Sequence, residues 1–131
     1  MDYKELDIWI QARVLVKTIY VLTKSFPKDE QFSLTSQVRR CVISIPSNIA
    51  EGCGRQSNKE TIHFLQIARG SLFELETQLI LAEDLNYISD IDIVLKEIER
   101  VKKLLNGFIN YYKKLCTQKT NIEQRITSNV F

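Results

Sequence analysis

The chain has 131 residues, of which 44% are hydrophobic and 26% charged, and its formal net charge is +2. These values are typical of one globular domain with its own core, and they exclude a disordered or fibrous chain. No stretch approaches the roughly 20 apolar residues of a membrane span, and the first residues lack an apolar signal core. We therefore expect a cytoplasmic protein that does not contact a membrane.

The first predicted helix follows from apolar residues that recur every three or four positions. Such spacing places side chains on one face of a helix. Proline disfavours helical geometry in the residue before it, so Pro27 predicts that this helix ends at Phe26. The apolar face consists of Ile8, Ala12, Leu15, Ile19, Leu22 and Phe26.

The second predicted helix begins near Thr35 or slightly earlier and contains a proline. Pro46 removes one backbone hydrogen bond and clashes with the carbonyl of Val42, which predicts a kink. Gly52 and Gly54 are expected to end the helix. Its apolar side carries Leu34, Val38, Cys41, Ile45 and Ile49.

The third predicted helix starts at a capping box, Ser57-Asn-Lys-Glu60, in which the serine accepts from the third helical N–H. It runs to about Leu85. Its seam alternates strictly between spacings of three and four residues, as in helices that pack side by side. The seam residues are Leu65, Ala68, Leu72, Leu75, Leu79 and Ala82.

The fourth predicted helix opens at Ser89 or Asp90 and keeps the same alternation for more than three heptads. From about Gln118 the pattern fades, which predicts a bundle over residues 1–118 and a flexible polar tail over residues 119–131. Four long amphipathic helices with short links predict an all-α, antiparallel up-down four-helix bundle. The seam residues are Ile91, Val94, Ile98, Val101, Leu105, Phe108, Tyr112 and Leu115.

A second apolar face on the third helix predicts a subunit interface. Gly70 costs about 1 kcal/mol relative to alanine inside a helix, so we expect another helix to pass close to it. The second helix offers a row of small residues that matches it. The alternative is a glycine tolerated on a solvent face. The predicted interface residues are Ser47, Ala50, Gly54, Ile67, Gly70 and Phe73.

Polar residues on the second and third helices form a predicted structural network. Arg40 or Arg55 is expected to pair across helices with one of the three glutamates named below and to fix the register between helices or subunits. A ligand or phosphate site that uses these arginines is the alternative. The network comprises Arg40, Asn48, Glu51, Arg55, Glu74 and Glu76.

Charge is unevenly distributed along the chain. Residues 61–95 contain one basic and six acidic side chains, whereas residues 96–131 contain eight basic and three acidic ones. A basic stripe on a helix is an electrostatic signature of nucleic-acid binding, although a solvated face is the alternative. The candidate nucleic-acid-binding residues are Arg39, Arg100, Lys103, Lys113 and Lys114.

Recognisable catalytic patterns are missing from the sequence. His63 is the only histidine, the three cysteines have no metal-ligand spacing, and no phosphate-cradling glycine loop follows a strand. We therefore predict no catalytic residue, no metal and no cofactor. A small-molecule enzyme that uses Arg40, Glu51 and Glu74 is the least favoured hypothesis.

Several segments resemble one bacterial family. They are Gln37-Val-Arg-Arg40, Ser44-Ile-Pro-Ser-Asn-Ile-Ala-Glu-Gly52, Gly54-Arg55, Gly70-Ser71 and Glu74-Leu-Glu-Thr-Gln-Leu79. The chain is similar through these segments to the four-helix bundle proteins of the 23S rRNA intervening-sequence family. The resemblance implies assembly as a ring, most often a homopentamer. The resemblance also implies a relationship to accessory proteins of reverse transcriptases, which bind nucleic acid through a basic surface of the ring.

The sequence thus predicts a non-enzymatic homo-oligomer that binds RNA or DNA through phosphate contacts. The alternative, from another class, is an oligomeric scaffold or accessory subunit that presents a surface to a partner protein, such as a reverse transcriptase. Reversing the charge of Lys103 and Lys114 separates the two hypotheses, because only nucleic-acid binding depends on those cations.

Overall fold

Each of the four predicted apolar seams corresponds to one α-helix of the structure. A computed structural model describes the backbone of residues 2–130 and the side chains of residues 2–118 and 122–127. Within that part of the chain there are four α-helices and no strand, which confirms the all-α class. The helices are α1 (Asp7–Leu22), α2 (Leu34–Cys53), α3 (Asn58–Asp84) and α4 (Asp92–Val130). Short 3-10 turns occupy Tyr3–Glu5, Thr23–Ser25 and Lys28–Glu30.

The helix ends follow the local signals of the sequence. α1 ends at Leu22 rather than at the predicted Phe26, because a 3-10 turn over Thr23–Ser25 replaces its last turn. Phe26 then adopts an extended conformation directly before Pro27. Gly54 caps the end of α2. The Ser57 side chain accepts a hydrogen bond from the Glu60 backbone N–H at 3.1 Å, as the capping box predicts. These residues confirm where the second helix ends and the third begins.

The bounds of α4 differ from the prediction at both ends. The helix begins at Asp92, because the Asp90 carboxylate accepts from the Asp92 backbone N–H at 3.0 Å and closes a turn before it. Its backbone stays helical through Val130, beyond the point where the apolar alternation fades. Phe131 of the predicted tail, and with it the side chains of 119–121 and 128–130, lie outside the described residues. The flexibility of the tail stays a prediction.

The predicted seams form the core. α2 packs against α1 and α3, and α4 packs against α3 and α1. Each helix contributes large side chains with no solvent exposure to the shared interior, and among them are Leu15, Ile45, Leu72 and Leu105.

Contacts between α2 and α3 show that these two helices run in opposite directions. The Cys41 thiol donates to the Ser71 carbonyl at 3.1 Å, and farther along α2 the Gly52 carbonyl accepts from the Thr61 hydroxyl at 2.8 Å. Positions on α3 therefore decrease as those on α2 increase. The up-down arrangement of the whole bundle and a kink at Pro46, through which α2 is continuous, stay predictions.

The closest glycine contact between helices lies at Gly52. A Cβ atom on this residue would lie 3.2 Å from both the Thr61 carbonyl oxygen and the Phe64 Cβ, which is tighter than ordinary van der Waals contact. At Gly70 no atom lies within 4 Å of the same position. No described part of another helix of this chain therefore passes close to Gly70, and the predicted interface there stays a prediction.

We predict that Gly52→Val lowers the free energy of unfolding by about 2 kcal/mol, because a branched side chain overlaps the backbone of α3. Gly107→Val is the matched control, since no atom lies within 4 Å of a Cβ there. It should change stability by less than about 0.5 kcal/mol. Urea denaturation followed by circular dichroism measures both values. An equal loss at the two positions would contradict the close approach at Gly52.

Candidate nucleic-acid interface

The outward face of α4 carries a row of cations that we call the α4 stripe. Its members are Lys96, Arg100, Lys103, Lys113 and Lys114, and all five are exposed. None of them forms an ion pair within the part of the chain that the structure describes. From residue 96 to residue 114 the stripe extends about 27 Å at 1.5 Å per residue.

The acidic residues of the same stretch point to neighbouring groups. The Glu97 carboxylate accepts from the Thr18 hydroxyl of α1 at 3.1 Å. Glu99 accepts from the Lys102 ammonium at 3.0 Å. Both carboxylates of residues 96–118 are thus engaged on the flanks of α4, and the face between them keeps its positive charge.

Polar side chains accompany the lysines near the end of the stripe. A shallow groove of about 370 Å³ is lined by Asn110, Lys113, Lys114, Thr117 and Gln118. Amide and hydroxyl groups of this kind donate hydrogen bonds to phosphate and sugar oxygens in nucleic-acid complexes. This end of the stripe therefore combines charge with short-range donors.

Tyr111 is a candidate contact that sequence reasoning missed. Its ring is half-exposed and lies nearly parallel to that of Phe108, with ring centroids 6.4 Å apart. Exposed aromatic rings beside cations are platforms on which bases stack. The run Asn110-Tyr-Tyr-Lys-Lys114 contains this interleaving of aromatic and basic residues and could have revealed it.

Arg39, the fifth predicted contact residue, lies away from the α4 stripe. Its Nε donates to the Thr23 hydroxyl at 2.9 Å, and a terminal nitrogen donates to the Tyr20 carbonyl. The guanidinium carbon also lies 4.6 Å from the centroid of the Tyr20 ring. These contacts hold the half-buried Arg39 against α1.

The predicted polar network separates into local contacts. Arg55 pairs with Glu51 one helical turn away, rather than across helices. The Asn48 amide donates to the Ser44 carbonyl at 2.7 Å within α2. Arg40 is exposed and lines a groove near the start of α2, together with Tyr20 and Phe32.

On α3, the two glutamates of the predicted network have different partners. Glu74 accepts from the Gln78 amide of its own helix at 3.2 Å. Glu76 accepts from Lys102 of α4, so the cation that pairs with it across helices is a lysine and neither of the two predicted arginines.

Lys102 is the one buried cation among the described residues, with 8% of its surface exposed. Its ammonium contacts the Glu76 and Glu99 carboxylates and lies 4.1 Å from the centroid of the Phe73 ring. Burial alone lowers the pKa of Lys102, but the hydrogen bonds that its ammonium donates to both carboxylates, together with their negative charge, outweigh burial and raise the pKa above its ordinary value. Lys102 is therefore a charged bridge between helices.

The predicted interface residues lie on two separate surfaces. Ser47 and Ala50 line a groove between α1 and α2. Ile67, Gly70 and Phe73 are exposed on α3. The remaining member, Gly54, is the exposed cap of α2. The sequence pattern could not show this division, because it depends on how the helices pack.

The Ser44–Gly52 motif joins α2 to both of its neighbours. The Ser44 hydroxyl lies 2.7 Å from the Ser71 hydroxyl on α3, and Gly52 permits the close approach of that helix. Pro46 faces the other way and lines the groove with α1. Ser44 and Gly52 of this motif therefore serve the packing of α2 against α3, and Pro46 lies on the side of α1.

Cys41 behaves as a buried core residue. Burial, together with the nearby Glu74 carboxylate, raises the pKa of its thiol to about 12. A thiol with so high a pKa stays protonated at neutral pH and is a poor nucleophile.

Two features are absent from the described part of the chain. Its His, Cys, Asp and Glu side chains form no group of three or more that could hold a metal ion. None of its helices combines the length and the apolar character that crossing a membrane requires.

The described part of the chain thus defines a small all-α protein of four α-helices with a row of exposed cations on α4. The chain belongs to the family of the 23S rRNA-intervening sequence protein, whose model matches residues 4–107. No curated protein matched the chain.

We predict that Lys102→Ala lowers the free energy of unfolding by about 2 kcal/mol, because it leaves two carboxylates without their shared cation. Lys103→Ala, at the exposed neighbouring position, should change it by less than about 0.5 kcal/mol. Urea denaturation at neutral pH measures both.

The same comparison predicts a pH dependence. The pKa of Lys102 is higher in the folded protein than in the unfolded chain. Its stabilising contribution is therefore present at neutral pH and is lost as the pH rises above about 10.4. The stability difference between the wild type and Lys102→Ala should shrink in that range, and a constant difference would contradict the ion pair.

Proposed function

We propose that this protein is a non-enzymatic, cytoplasmic homo-oligomer that binds RNA or DNA through the α4 stripe. The observation that supports it is a row of five exposed cations on one helix. The neighbouring carboxylates, Glu97 and Glu99, form hydrogen bonds with Thr18 and Lys102 and do not pair with these cations. The family name, which refers to a 23S rRNA-intervening sequence, agrees with a nucleic-acid context.

The stripe is suited to phosphates rather than to base sequence. Lysines on an exposed helix face neutralise backbone charge and release counterions, which gives affinity that falls steeply with salt. The bases are then read little or not at all, so binding should tolerate many sequences. Tyr111 would add stacking at one edge of the stripe.

An oligomer strengthens this proposal. Each copy carries its own α4 stripe, and several weak phosphate contacts on one nucleic acid combine into a higher apparent affinity. The net charge of one chain is only +2, so a single copy attracts a polyanion weakly. The homopentamer implied by the resemblance would present five stripes.

A scaffold or accessory subunit for a partner protein is the second candidate function. The half-exposed Phe73 and Leu81 on α3 support it, because exposed apolar surface commonly marks a protein contact. Binding of this kind does not depend on the α4 cations, which makes the two functions separable by mutation.

We predict that the double variant Lys103→Glu/Lys114→Glu binds RNA at least tenfold more weakly than the wild type at low ionic strength. The slope of log affinity against log salt should also fall by about 1.4 to 1.8, since two phosphate contacts are removed. Fluorescence titration against a labelled structured RNA and a labelled single strand measures both quantities.

The matched control is Lys24→Glu/Lys28→Glu, which makes the same change of net charge at exposed positions that are not part of α4. It should retain most of the affinity. Equal losses in the two double variants would show that only net charge matters. Absence of any wild-type binding at low salt would reject the proposal.

A further inference from the structure

A groove at the start of α2 combines positive charge with an exposed aromatic ring. We call it the Arg39–Arg40 groove, and its volume is about 490 Å³. Pockets for small organic ligands have volumes of roughly 300 to 1,000 Å³, so the groove has a suitable size. Both arginines line it, and the described residues around it include no acidic side chain. The other lining residues are Tyr20, Gln31, Phe32, Thr35, Ser36 and Ile43.

The two arginines of this groove are held differently. Arg39 is fixed in place, because its Nε donates to the Thr23 hydroxyl at 2.9 Å and its guanidinium carbon lies 4.6 Å from the centroid of the Tyr20 ring. Arg40 is exposed and forms no ion pair within the described part of the chain. A guanidinium group matches two oxygens of a phosphate or carboxylate at once, so the pair suits an anion.

The first turn of α2 offers further donors beside the arginines. The Glu30 carboxylate accepts from the Leu34 backbone N–H at 3.0 Å. The backbone N–H groups of Thr35 and Ser36, which come next, form no hydrogen bond among the described residues. Free N–H groups and the positive end of the helix dipole favour a bound anion. Both residues line the groove.

Thr35 also has a buried hydroxyl without a partner. Only 9% of the residue is exposed, and its Oγ1 forms no hydrogen bond in the structure. Buried hydroxyls normally have at least one partner, so this donor calls for an acceptor that its own chain does not supply. Threonine in a helix has two accessible χ1 rotamers, and rotation between them can turn the hydroxyl towards a ligand in the groove.

Phe32 adds an apolar surface to this polar site. Its side chain is 90% exposed, which makes it the most exposed large hydrophobic residue among those described. A ring in that position contributes little to the core of its own chain. Because Phe32 lines the same groove as the arginines, its face is available to stack on a planar ring that is attached to the anion.

We propose that the Arg39–Arg40 groove binds a nucleoside monophosphate or another phosphate monoester that carries a planar ring. Arg39, Arg40 and Thr35 hold the phosphate, and Phe32 stacks on the ring. A phosphate monoester offers three acceptor oxygens and about 1.5 to 2 negative charges at neutral pH, so it satisfies more of these donors than a carboxylate does.

This site is separate from the α4 stripe. None of the residues that line the groove belongs to α4. The inference therefore goes beyond the proposed nucleic-acid role and does not depend on it.

Calorimetric titration of the wild type at low ionic strength tests the ligand class. The three probes are adenosine 5′-monophosphate (AMP), adenosine and inorganic phosphate. AMP should bind, and the other two should bind at least tenfold more weakly, because each lacks either the phosphate or the ring. No binding of AMP at millimolar concentration would overturn the inference, as would equal affinities for AMP and inorganic phosphate.

Three variants test the residues. Arg40→Gln should weaken AMP binding at least tenfold, and Phe32→Ala should weaken AMP binding without changing the affinity for inorganic phosphate. Both positions are exposed, so the fold should be unaffected. Thr35→Val keeps the shape of the side chain and removes the hydroxyl. It should weaken AMP binding without lowering the thermal stability, because that hydroxyl has no partner within the chain.

Arg69→Gln is the matched control, since it removes the same charge at an exposed position on α3. It should keep the wild-type affinity for AMP, and equal losses in Arg40→Gln and Arg69→Gln would overturn the inference. Titration of Arg40→Gln with RNA separates the two sites. Wild-type affinity for RNA is expected, whereas a parallel loss of RNA affinity would make the groove part of a nucleic-acid surface and overturn the small-molecule site.

Discussion

The close contact of α2 with α3 at Gly52 is the constraint on which the remaining surfaces depend. Gly52 has no Cβ, so its carbonyl can accept from the buried Thr61 hydroxyl at 2.8 Å while the two backbones nearly touch. This contact sets how α3 is rotated against α2. Leu65 and Leu72 consequently face the core, and Gly70 faces away from it. The apolar seam of α3 is satisfied within one chain, whereas its second apolar face is left without a cover.

Neighbouring lysines of α4 have different roles. Lys102 turns inward and joins α3 through Glu76, and its raised pKa keeps it charged at neutral pH. Its neighbour Lys103 turns outward and is free of ion pairs within the described part of the chain. Two consecutive lysines therefore differ in role, since Lys102 bridges two helices and Lys103 is a candidate phosphate contact. Variants at the two positions consequently report on different properties, namely stability and binding.

The spacing of apolar residues predicted the helices and most of the core, because a helix that buries one face has apolar residues every three or four positions. The cap at Ser57 and the extended conformation of Phe26 before Pro27 were also predictable, since both signals act within a few residues of chain. The end of α1 at Leu22 was not. The partner of Lys102 was not predictable, because an ion pair between α3 and α4 depends on helix rotation. The close contact within the chain lies at Gly52, which was not predictable, since the sequence reveals glycines but not which neighbour each one faces. The contact expected at Gly70 between subunits stays a prediction.

An uncovered apolar face on a folded chain is the central claim, and counting the chains in the native assembly tests it most directly. Native mass spectrometry of the wild type at micromolar concentration should show one discrete assembly of three or more copies. A ring that closes on itself has a fixed number of subunits. A single chain at that concentration would contradict the account, because the exposed apolar side chains of α3, among them Ile67 and Phe73, would then be stable in water without a partner.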